Sequence, residues 1–187
     1  MRIKLIFIRH GETDWTGKKR LQGRLDIPLN KKGKKQIEKT AVKLRRLGVN
    51  PSLIVSSPLR RARQSAVIIA NIFKIPFTVD KNLSEKDLGE LAGKTRQEVK
   101  EQYNLVFKQL NGNQYYDYSI YGGESIEGTK ARIEAFLNSI ERNYKDETII
   151  VVTHAGILRF LFSEFFSDIE IDFQSGIKPG SYYILEL

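Results

Sequence analysis

The two histidines of the chain each follow a short apolar run. His10 ends the stretch LIFIRH, and His154 ends the stretch IIVVTH. Such runs of branched residues are typical of strands that are buried on both faces of a sheet. Ligands bind beyond the carboxyl ends of the strands in an open α/β sheet, so we expect both imidazoles at one site. A single histidine at a strand end is more often structural, but two at equivalent ends favour a catalytic role.

A third apolar run, LIVSS, is followed by Arg60, Arg61 and Arg63. These arginines fall in the first turn of a predicted helix, where the helix dipole disfavours a cation by about 0.3 to 1 kcal/mol. A bound phosphate would compensate, because each charge-assisted hydrogen bond from a guanidinium contributes about 1.5 to 3 kcal/mol. We expect Arg60 and Arg63 to pair with surface carboxylates, which leaves Arg61 to be directed inward.

These residue types suit phosphoryl transfer through a covalent intermediate. A neutral imidazole with a pKa near its unperturbed value of about 6.5 is a nucleophile at neutral pH. An imidazolium and a guanidinium nearby stabilise the charge on the transferred oxygens. Arg9 adjoins His10 in the sequence, and neighbours along a strand point to opposite sides. We therefore expect Gly11 to let the chain bend at this position.

Hydrolysis of a phosphate ester also needs a general acid to protonate the leaving oxygen. The irregular middle of the chain provides Glu85, Asp87 and Glu90, and Glu124 follows further on. Spacing alone does not choose among these carboxylates.

Hydrophobic periodicity predicts alternating strands and helices that position these groups. The predicted strands are residues 4–8, 53–56, 77–79, 148–152 and 182–185, and the predicted helices are residues 31–47, 57–73, 125–144 and 157–166. Ser57 is expected to cap the second of these helices, and Leu47 to lie on the buried face of the first. The alternation favours an α/β fold, a three-layer α/β/α arrangement with a mostly parallel sheet, in one domain of residues 1–187.

Residues 84–122 have the least regular pattern. They carry a run of tyrosines, namely Tyr115, Tyr116, Tyr118 and Tyr121. These rings could form the wall of a pocket for an organic group or belong to ordinary packing, and the pattern favours neither.

Composition narrows the classes of protein to consider. A net charge of +9 and a pI of about 9.6 favour an anionic partner, although the lysines from Lys31 to Lys35 suit a solvated helix start. The chain has no cysteine, which excludes disulfides, thiolate metal sites and thiol nucleophiles. We find no apolar stretch long enough for a membrane span and no secretory signal, so we expect no membrane partner and a cytoplasmic protein.

Four segments together resemble the histidine phosphatase superfamily, the phosphoglycerate mutase-like group. They are RHGET at 9–13, LQGRLDIPLN at 21–30, SSPLRRARQSA at 56–66 and VVTHAG at 151–156, in the family's order and over nearly the whole chain. In length and motifs the chain looks most like short broad-specificity or α-ribazole phosphatases. The resemblance implies the phosphoglycerate mutase-like α/β fold and a phosphatase that needs no metal or organic cofactor.

The resemblance also implies a role for individual residues. His10 would be the nucleophile, Arg9 and Arg61 would bind phosphate, and His154 would complete a positively charged pocket. Among the carboxylates it selects Glu85 as proton donor, because the family's glutamate precedes a glycine by four residues. Further phosphate contacts are implied for Thr16, Gln22, Gly23 and Ala155. Thr16 departs from the asparagine that is common in the family, which would shorten or remove one contact.

Other functions fit some of these observations. A mutase would return the phosphoryl group to a second hydroxyl and would need a bisphosphorylated activator. A noncatalytic protein could hold a phosphorylated ligand or nucleic acid in the same basic pocket, but an intact set of catalytic residues argues against it. We expect a small phosphorylated metabolite as partner rather than nucleic acid. The apolar stretch with Phe160, Phe162, Phe165 and Phe166 offers an interface for a homodimer.

Overall fold

A computed structural model describes residues 3–104, 117–166 and 176–186 of the protein. The strands are β1 (Lys4–Arg9), β2 (Leu53–Ser56), β3 (Phe77–Val79), β4 (Thr148–Thr153) and β5 (Tyr182–Glu186). The α-helices are α1 (Asp14–Gly17), α2 (Lys31–Arg46), α3 (Arg60–Phe73), α4 (Arg96–Tyr103), α5 (Ile126–Asn143) and α6 (Ala155–Phe165). Short 3₁₀ turns occupy Lys81–Leu83, Gly89–Leu91 and Ser119–Tyr121.

The strands form one sheet in the order β3-β2-β4-β1-β5. The pairs β2–β3, β2–β4 and β1–β4 are parallel, and only the edge strand β5 runs antiparallel to its neighbour β1. The predicted mostly parallel sheet is therefore confirmed. Because β2, β4 and β1 are adjacent and parallel, their carboxyl ends lie side by side at one edge of the sheet.

Helices cover both faces of the sheet, as the three-layer prediction requires. On one face, Phe7 and Val151 pack with residues of α5 and α6. On the other face, Ile8 and Val152 pack with residues of α2 and α3. Neighbouring strand residues alternate between the two cores, which explains why β1 and β4 are apolar along their whole length.

Some details differ from the predicted pattern. Leu47 caps the end of α2 and is 60% exposed, so it does not belong to the buried face. Helix α3 begins at Arg60, and its cap is Leu59 rather than Ser57, whose hydroxyl has another partner. Helix α4 was missed within the irregular segment. Tyr115 and Tyr116 lie outside the described residues.

The proposed dimer surface on α6 is wrong in part. Phe160 and Phe162 are buried against the sheet, because α6 directs them into the core beside Phe7. Phe165 and Phe166 are only partly covered. A homodimer stays a prediction, without Phe160 and Phe162 as its contacts. Among the described residues, we find no helix with the length and apolar character of a membrane span.

Candidate active site

Three adjacent strands deliver polar side chains to the same edge of the sheet. Ser57, His154 and His10 directly follow β2, β4 and β1. Backbone hydrogen bonds extend the ladder to these residues, from Ser57 N–H to Val152 O at 2.9 Å and from His10 N–H to Thr153 O at 3.0 Å. The rings of His10 and His154 lie 5.1 Å apart, between centroids. The predicted convergence of the two histidines is confirmed.

The hydrogen bonds of His10 leave one of its nitrogens with a free lone pair. Nδ1 lies 2.7 Å from Gly11 O, and since a carbonyl only accepts, Nδ1 carries the proton. Nε2 therefore keeps its lone pair, which faces Arg61 Nε at 3.3 Å. Burial, followed by the charges of Arg61 and Arg9, holds the pKa of His10 well below its usual 6.5. At neutral pH the imidazole is unprotonated.

Gly11 is needed for close packing and not for an unusual backbone angle. It is absent from the glycines with positive φ among the described residues. A Cβ at Gly11 would lie 2.3 Å from Gly33 O, at the start of α2. In the same way, a Cβ at Gly33 would lie 2.1 Å from Glu12 O. The loop after His10 thus rests directly on the first turn of α2, while the expected bend at Gly11 stays a prediction.

Arg61 is the inward arginine, as predicted, and is 1% exposed. Two backbone carbonyls of the loop after α1 hold its guanidinium, Gly23 O at 2.7 Å and Leu25 O at 2.8 Å. Burial lowers the pKa of Arg61 to about 10, so it remains a cation at neutral pH. Arg60 and Arg63 form no salt bridge within the described residues, so their expected pairing with carboxylates is wrong.

Arg9 lies beside the carboxyl-terminal segment of the chain. Its guanidinium donates to Ile177 O, and Gly180 N–H donates to Arg9 O at 3.0 Å. Burial lowers the pKa of Arg9 to about 10, and the nearby Glu85 carboxylate opposes that effect. Arg9 therefore contributes a second positive charge, half-buried, next to His10.

A hydroxyl sets the proton position of His154. His154 Nε2 lies 2.7 Å from Ser57 Oγ, which also accepts a bond from Leu59 N–H at 3.3 Å. Since no other acceptor for the Ser57 proton is found among the described residues, Ser57 donates to Nε2 and the ring proton of His154 lies on Nδ1. Burial, then the charges of Arg61 and other neighbours, holds the pKa of His154 well below 6.5. Without a bound anion, burial and the two arginines therefore favour a neutral imidazole over the expected imidazolium.

Glu85 is positioned at the amino end of α6, next to His154. Its Oε2 accepts from Gly156 N–H at 3.1 Å, and its Oε1 accepts from Lys86 N–H at 3.0 Å. A Cβ at Gly156 would lie 2.4 Å from Oε1, so this glycine leaves room for the carboxylate. The charge of Glu85 is also the largest effect that raises the pKa of both Arg9 and Arg61, against the lowering by burial. It therefore belongs to the same cluster as the two histidines.

The other three carboxylates have different positions. Asp87 Oδ1 accepts from Gly89 N–H at 3.0 Å, and the exposed Glu90 lies 3.4 Å from the hydroxyl of Tyr103. Glu124 binds Arg132 through both oxygens, at 2.7 and 2.9 Å. These partners leave Glu85 as the candidate acid that lies with the histidines.

Arg24 connects this cluster to the loop that holds Arg61, a contact that sequence reasoning missed. Its Nε donates to Glu85 O at 3.2 Å, and its Nη2 donates to Glu124 at 3.0 Å. Arg132, which also binds Glu124, donates to Asn82 O. Arg24 lies between Gly23 and Leu25 in the motif LQGRLD, which was its only sequence signal.

Thr16 and Gln22 interact with each other. The Thr16 hydroxyl lies 3.0 Å from Thr13 Oγ1 in the cap of α1, and Gln22 Nε2 donates to it at 3.0 Å. Ala155 is the first residue of α6, at the positive end of its dipole. Gly23 contacts the site through its backbone carbonyl, which accepts a hydrogen bond from Arg61.

Two unsatisfied atoms of the described residues belong to this cluster. The buried side-chain nitrogens and oxygens without a hydrogen-bond partner are Arg9 Nε, His154 Nδ1 and, beside Thr16, Gln22 Oε1. Leaving such atoms unpaired is costly, so Arg9 Nε and His154 Nδ1 indicate a polar ligand. In the described part of the chain, no group of three or more His, Cys, Asp or Glu could hold a metal ion.

The fold and this cluster define an α/β enzyme with two buried histidines among arginines. Residues 5–187 match the family model of the histidine phosphatase superfamily (branch 1), and the chain belongs to that superfamily. The predicted family and enzyme class are therefore confirmed.

Relatives and solved structures agree with that assignment. Phosphoserine phosphatase 1 of Hydrogenobacter thermophilus is 29% identical over 186 residues, covering 99% of this chain and 87% of that protein. Phosphoglycerate mutase-like protein 4 of Arabidopsis thaliana is 34% identical over 160 residues, covering 85% and 69%. A mycobacterial glucosyl-3-phosphoglycerate phosphatase in complex with VO3 superposes with a TM-score of 0.83 at 26% identity, covering 97% of this chain and 91% of that chain.

Proposed function

We propose that this protein hydrolyses a small organic phosphomonoester by transferring the phosphoryl group to Nε2 of His10. The observation that carries the proposal is the hydrogen bond between His10 Nδ1 and Gly11 O at 2.7 Å. It directs the lone pair of Nε2 towards Arg61, where a phosphate would bind. The lowered pKa of His10 supports this role, because the ring stays unprotonated at neutral pH.

The phosphate oxygens have several donors. Arg9 Nε and His154 Nδ1 are buried without partners, and both are N–H groups that can donate to an oxyanion. The side-chain amide of Gln22 can flip, because the Thr16 hydroxyl can donate to its oxygen as well as accept from its nitrogen. After the flip, the NH₂ group of Gln22 would face the phosphate. Arg61 adds its charge, and the first N–H groups of α6, beginning at Ala155, favour an anion.

Glu85 completes both halves of the reaction. In the first half, the N–P bond forms at His10 as the P–O bond to the leaving group breaks, and Glu85 protonates that leaving oxygen. In the second half, Glu85 takes a proton from water, the water oxygen attacks phosphorus, and the N–P bond breaks. The hydrogen bonds from Gly156 and Lys86 support this role by holding the carboxyl group beside the site.

The substrate class follows in part from relatives. Proteins similar to this chain are named phosphoserine phosphatase and glucosyl-3-phosphoglycerate phosphatase, and each name describes a small phosphate ester. We propose an ester of comparable size for this protein. The cytoplasm is the compartment that supplies such metabolites, and we propose it as the location.

The test measures inorganic phosphate released from a panel of phosphomonoesters without added metal, for the wild type and for His10→Ala. Hydrolysis that is lost in the variant, together with acid-labile, base-stable phosphate bound to the wild type, would support the proposal. Full turnover by His10→Ala would overturn it. Some relatives are named as a probable mutase or as mutase-like, so a parallel assay supplies 3-phosphoglycerate with a bisphosphorylated activator. Isomerisation without net phosphate release would favour a mutase instead.

A further inference from the structure

Exposed lysines lie on the helix that starts beside the candidate active site. Lys31, Lys34 and Lys35 are exposed in the first two turns of α2. This end of the helix rests on the loop after β1, since a Cβ at Gly33 would lie 2.1 Å from Glu12 O. Helices that follow parallel strands begin at the edge where those strands end, so these lysines lie at the same edge as the two histidines.

Other segments of the site carry exposed cations as well. Arg60 and Arg63 are exposed in the first turn of α3, beside the buried Arg61. Lys178 is exposed directly after the residue whose carbonyl accepts from Arg9. Two further exposed lysines follow α1. We call the exposed cations of these segments the basic rim: Lys18, Lys19, Lys31, Lys34, Lys35, Arg60, Arg63 and Lys178.

The basic rim carries more positive than negative charge. None of its members forms a salt bridge within the described residues. The exposed carboxylates on α1, on the loop after it and on α2 are Asp14, Asp26 and Glu38. Glu12 is already paired with Lys32 at 2.8 Å. A cleft surrounded by charges of one sign attracts ions of the opposite sign over a distance.

We propose that the basic rim attracts the phosphate ester from solution towards the pocket, acting at a distance and not by contact, which rests on the phosphatase function proposed above. A phosphate monoester carries about two negative charges at neutral pH. The field of the rim raises the concentration of this anion at the pocket and its association rate, an effect of about 10 to 10³ in favourable cases. Because the effect precedes the chemical step, the rim raises kcat/KM and leaves kcat unchanged.

Two triple variants of equal charge separate the field of the rim from the net charge of the protein. Both replace exposed cations by glutamine, whose helix propensity is similar to that of lysine. The rim variant combines Lys31→Gln, Lys34→Gln and Lys35→Gln. The remote variant combines Arg46→Gln, Lys74→Gln and Lys145→Gln, at the ends of α2 and α3 and before β4. Helix α2 has 16 residues and so a length of about 24 Å, which separates the two sets.

Ionic strength decides which variant loses activity. At about 0.1 M the Debye length is about 10 Å, so only the nearby rim charges act at the pocket. We expect kcat/KM for glycerol 1-phosphate to fall about threefold to tenfold in the rim variant and to stay near the wild-type value in the remote variant. At about 0.01 M the Debye length is about 30 Å, and both variants should lose activity. At about 1 M it is about 3 Å, and neither should.

The loss should also depend on the charge of the substrate. Glycerol 1-phosphate has a net charge of about −2 at neutral pH, whereas the ammonium group of phosphoethanolamine leaves it with about −1. A field that acts at a distance depends on net charge, so the rim variant should lose only about twofold to threefold on phosphoethanolamine at about 0.1 M. Equal losses on the two esters would contradict the proposal.

The affinity for inorganic phosphate, measured by calorimetry at the same three ionic strengths, provides a readout that needs no turnover. Equal losses for the two variants at about 0.1 M, wild-type kcat/KM for the rim variant there, or a loss that persists at about 1 M would overturn the role of the basic rim. A wild type that hydrolyses neither ester nor p-nitrophenyl phosphate would count against the phosphatase function. Phosphate affinities with the expected dependence on variant and salt would then still support the rim, and affinities without it would overturn the rim as well.

Discussion

Nε2 of His154 lies 2.7 Å from Oγ of Ser57, and both residues are fully buried at the ends of neighbouring strands. The pair leaves Nδ1 of His154 as an N–H group without a partner among the described residues. The neutral ring is therefore able to donate from Nδ1, while Arg9 and Arg61 carry the positive charges nearby.

Replacing Ser57 with alanine should weaken catalysis without unfolding the protein. The change leaves Nε2 of His154 unpaired, which costs about 1 to 3 kcal/mol and frees the ring to change its proton position. We expect kcat/KM to fall by about tenfold to a hundredfold. Ser52→Ala is the control, since that hydroxyl donates to Thr148 O at 3.3 Å in an exposed position. Equal kinetics for the two variants would show that Ser57 does not orient His154.

Removing the contact between Arg24 and Glu124 should affect proton donation more than phosphate binding. Arg24→Ala or Glu124→Gln loosens the segment that carries Glu85, since Arg24 donates to both residues. Alkyl phosphates have poor leaving groups and depend on the acid, whereas p-nitrophenyl phosphate hardly does. We expect kcat for an alkyl phosphate to fall about tenfold more than kcat for p-nitrophenyl phosphate.

The control for that experiment is Glu127→Gln, which changes an exposed carboxylate in the first turn of α5. A double variant of Arg24 and Glu124 should lose less than the sum of the single changes, because both act through one contact. Equal losses for the two leaving groups would contradict a role in proton donation.

Gly156→Ala should displace the proposed acid. The new Cβ would lie 2.4 Å from Oε1 of Glu85, so the carboxylate must move away from the site. General acid catalysis contributes about 10² to 10⁴ in rate, and we expect at least about a tenfold loss of kcat on alkyl phosphates. Gly17→Ala is the matched control, because a Cβ at that helical glycine meets nothing within 4 Å. Wild-type kcat for Gly156→Ala would remove Glu85 from the mechanism.

The buried histidines should make stability depend on pH in a defined direction. Their pKa lies well below 6.5 in the folded protein and near 6.5 when unfolded, so the unfolded chain binds more protons in that window. This contribution to stability is complete above 6.5 and decreases as the pH falls towards the folded pKa. The loss is at most about 1.4 kcal/mol per pH unit for each histidine.

Urea unfolding followed by Trp15 fluorescence would measure this effect at about pH 7.5 and about pH 5.5. The free energy of unfolding of the wild type should decrease more over this range than that of His154→Gln, which lacks one titrating group. An equal decrease in both proteins would contradict a lowered pKa for His154.

Local pattern was enough to predict the strands and the convergence of His10 with His154. Each of these follows from apolar runs of strand length and from the rule that parallel strands end at one edge. The family resemblance then selected Glu85 from four carboxylates, and the structure brings that residue to His154. Spacing along the chain could not have done so, because Glu85 and Gly156 are far apart in sequence.

Contacts between distant segments account for what the sequence did not predict. Ser57 meets His154 instead of capping α3, and Arg24 meets Glu85 and Glu124 across the site. The neutral state of His154 also depends on tertiary structure, because burial and the nearness of Arg61 exist only once the chain is folded. Residue types and strand ends thus specify which groups form the site. Their partners and charge states depend on packing, since electrostatic and hydrogen-bond energies are set by distance and burial.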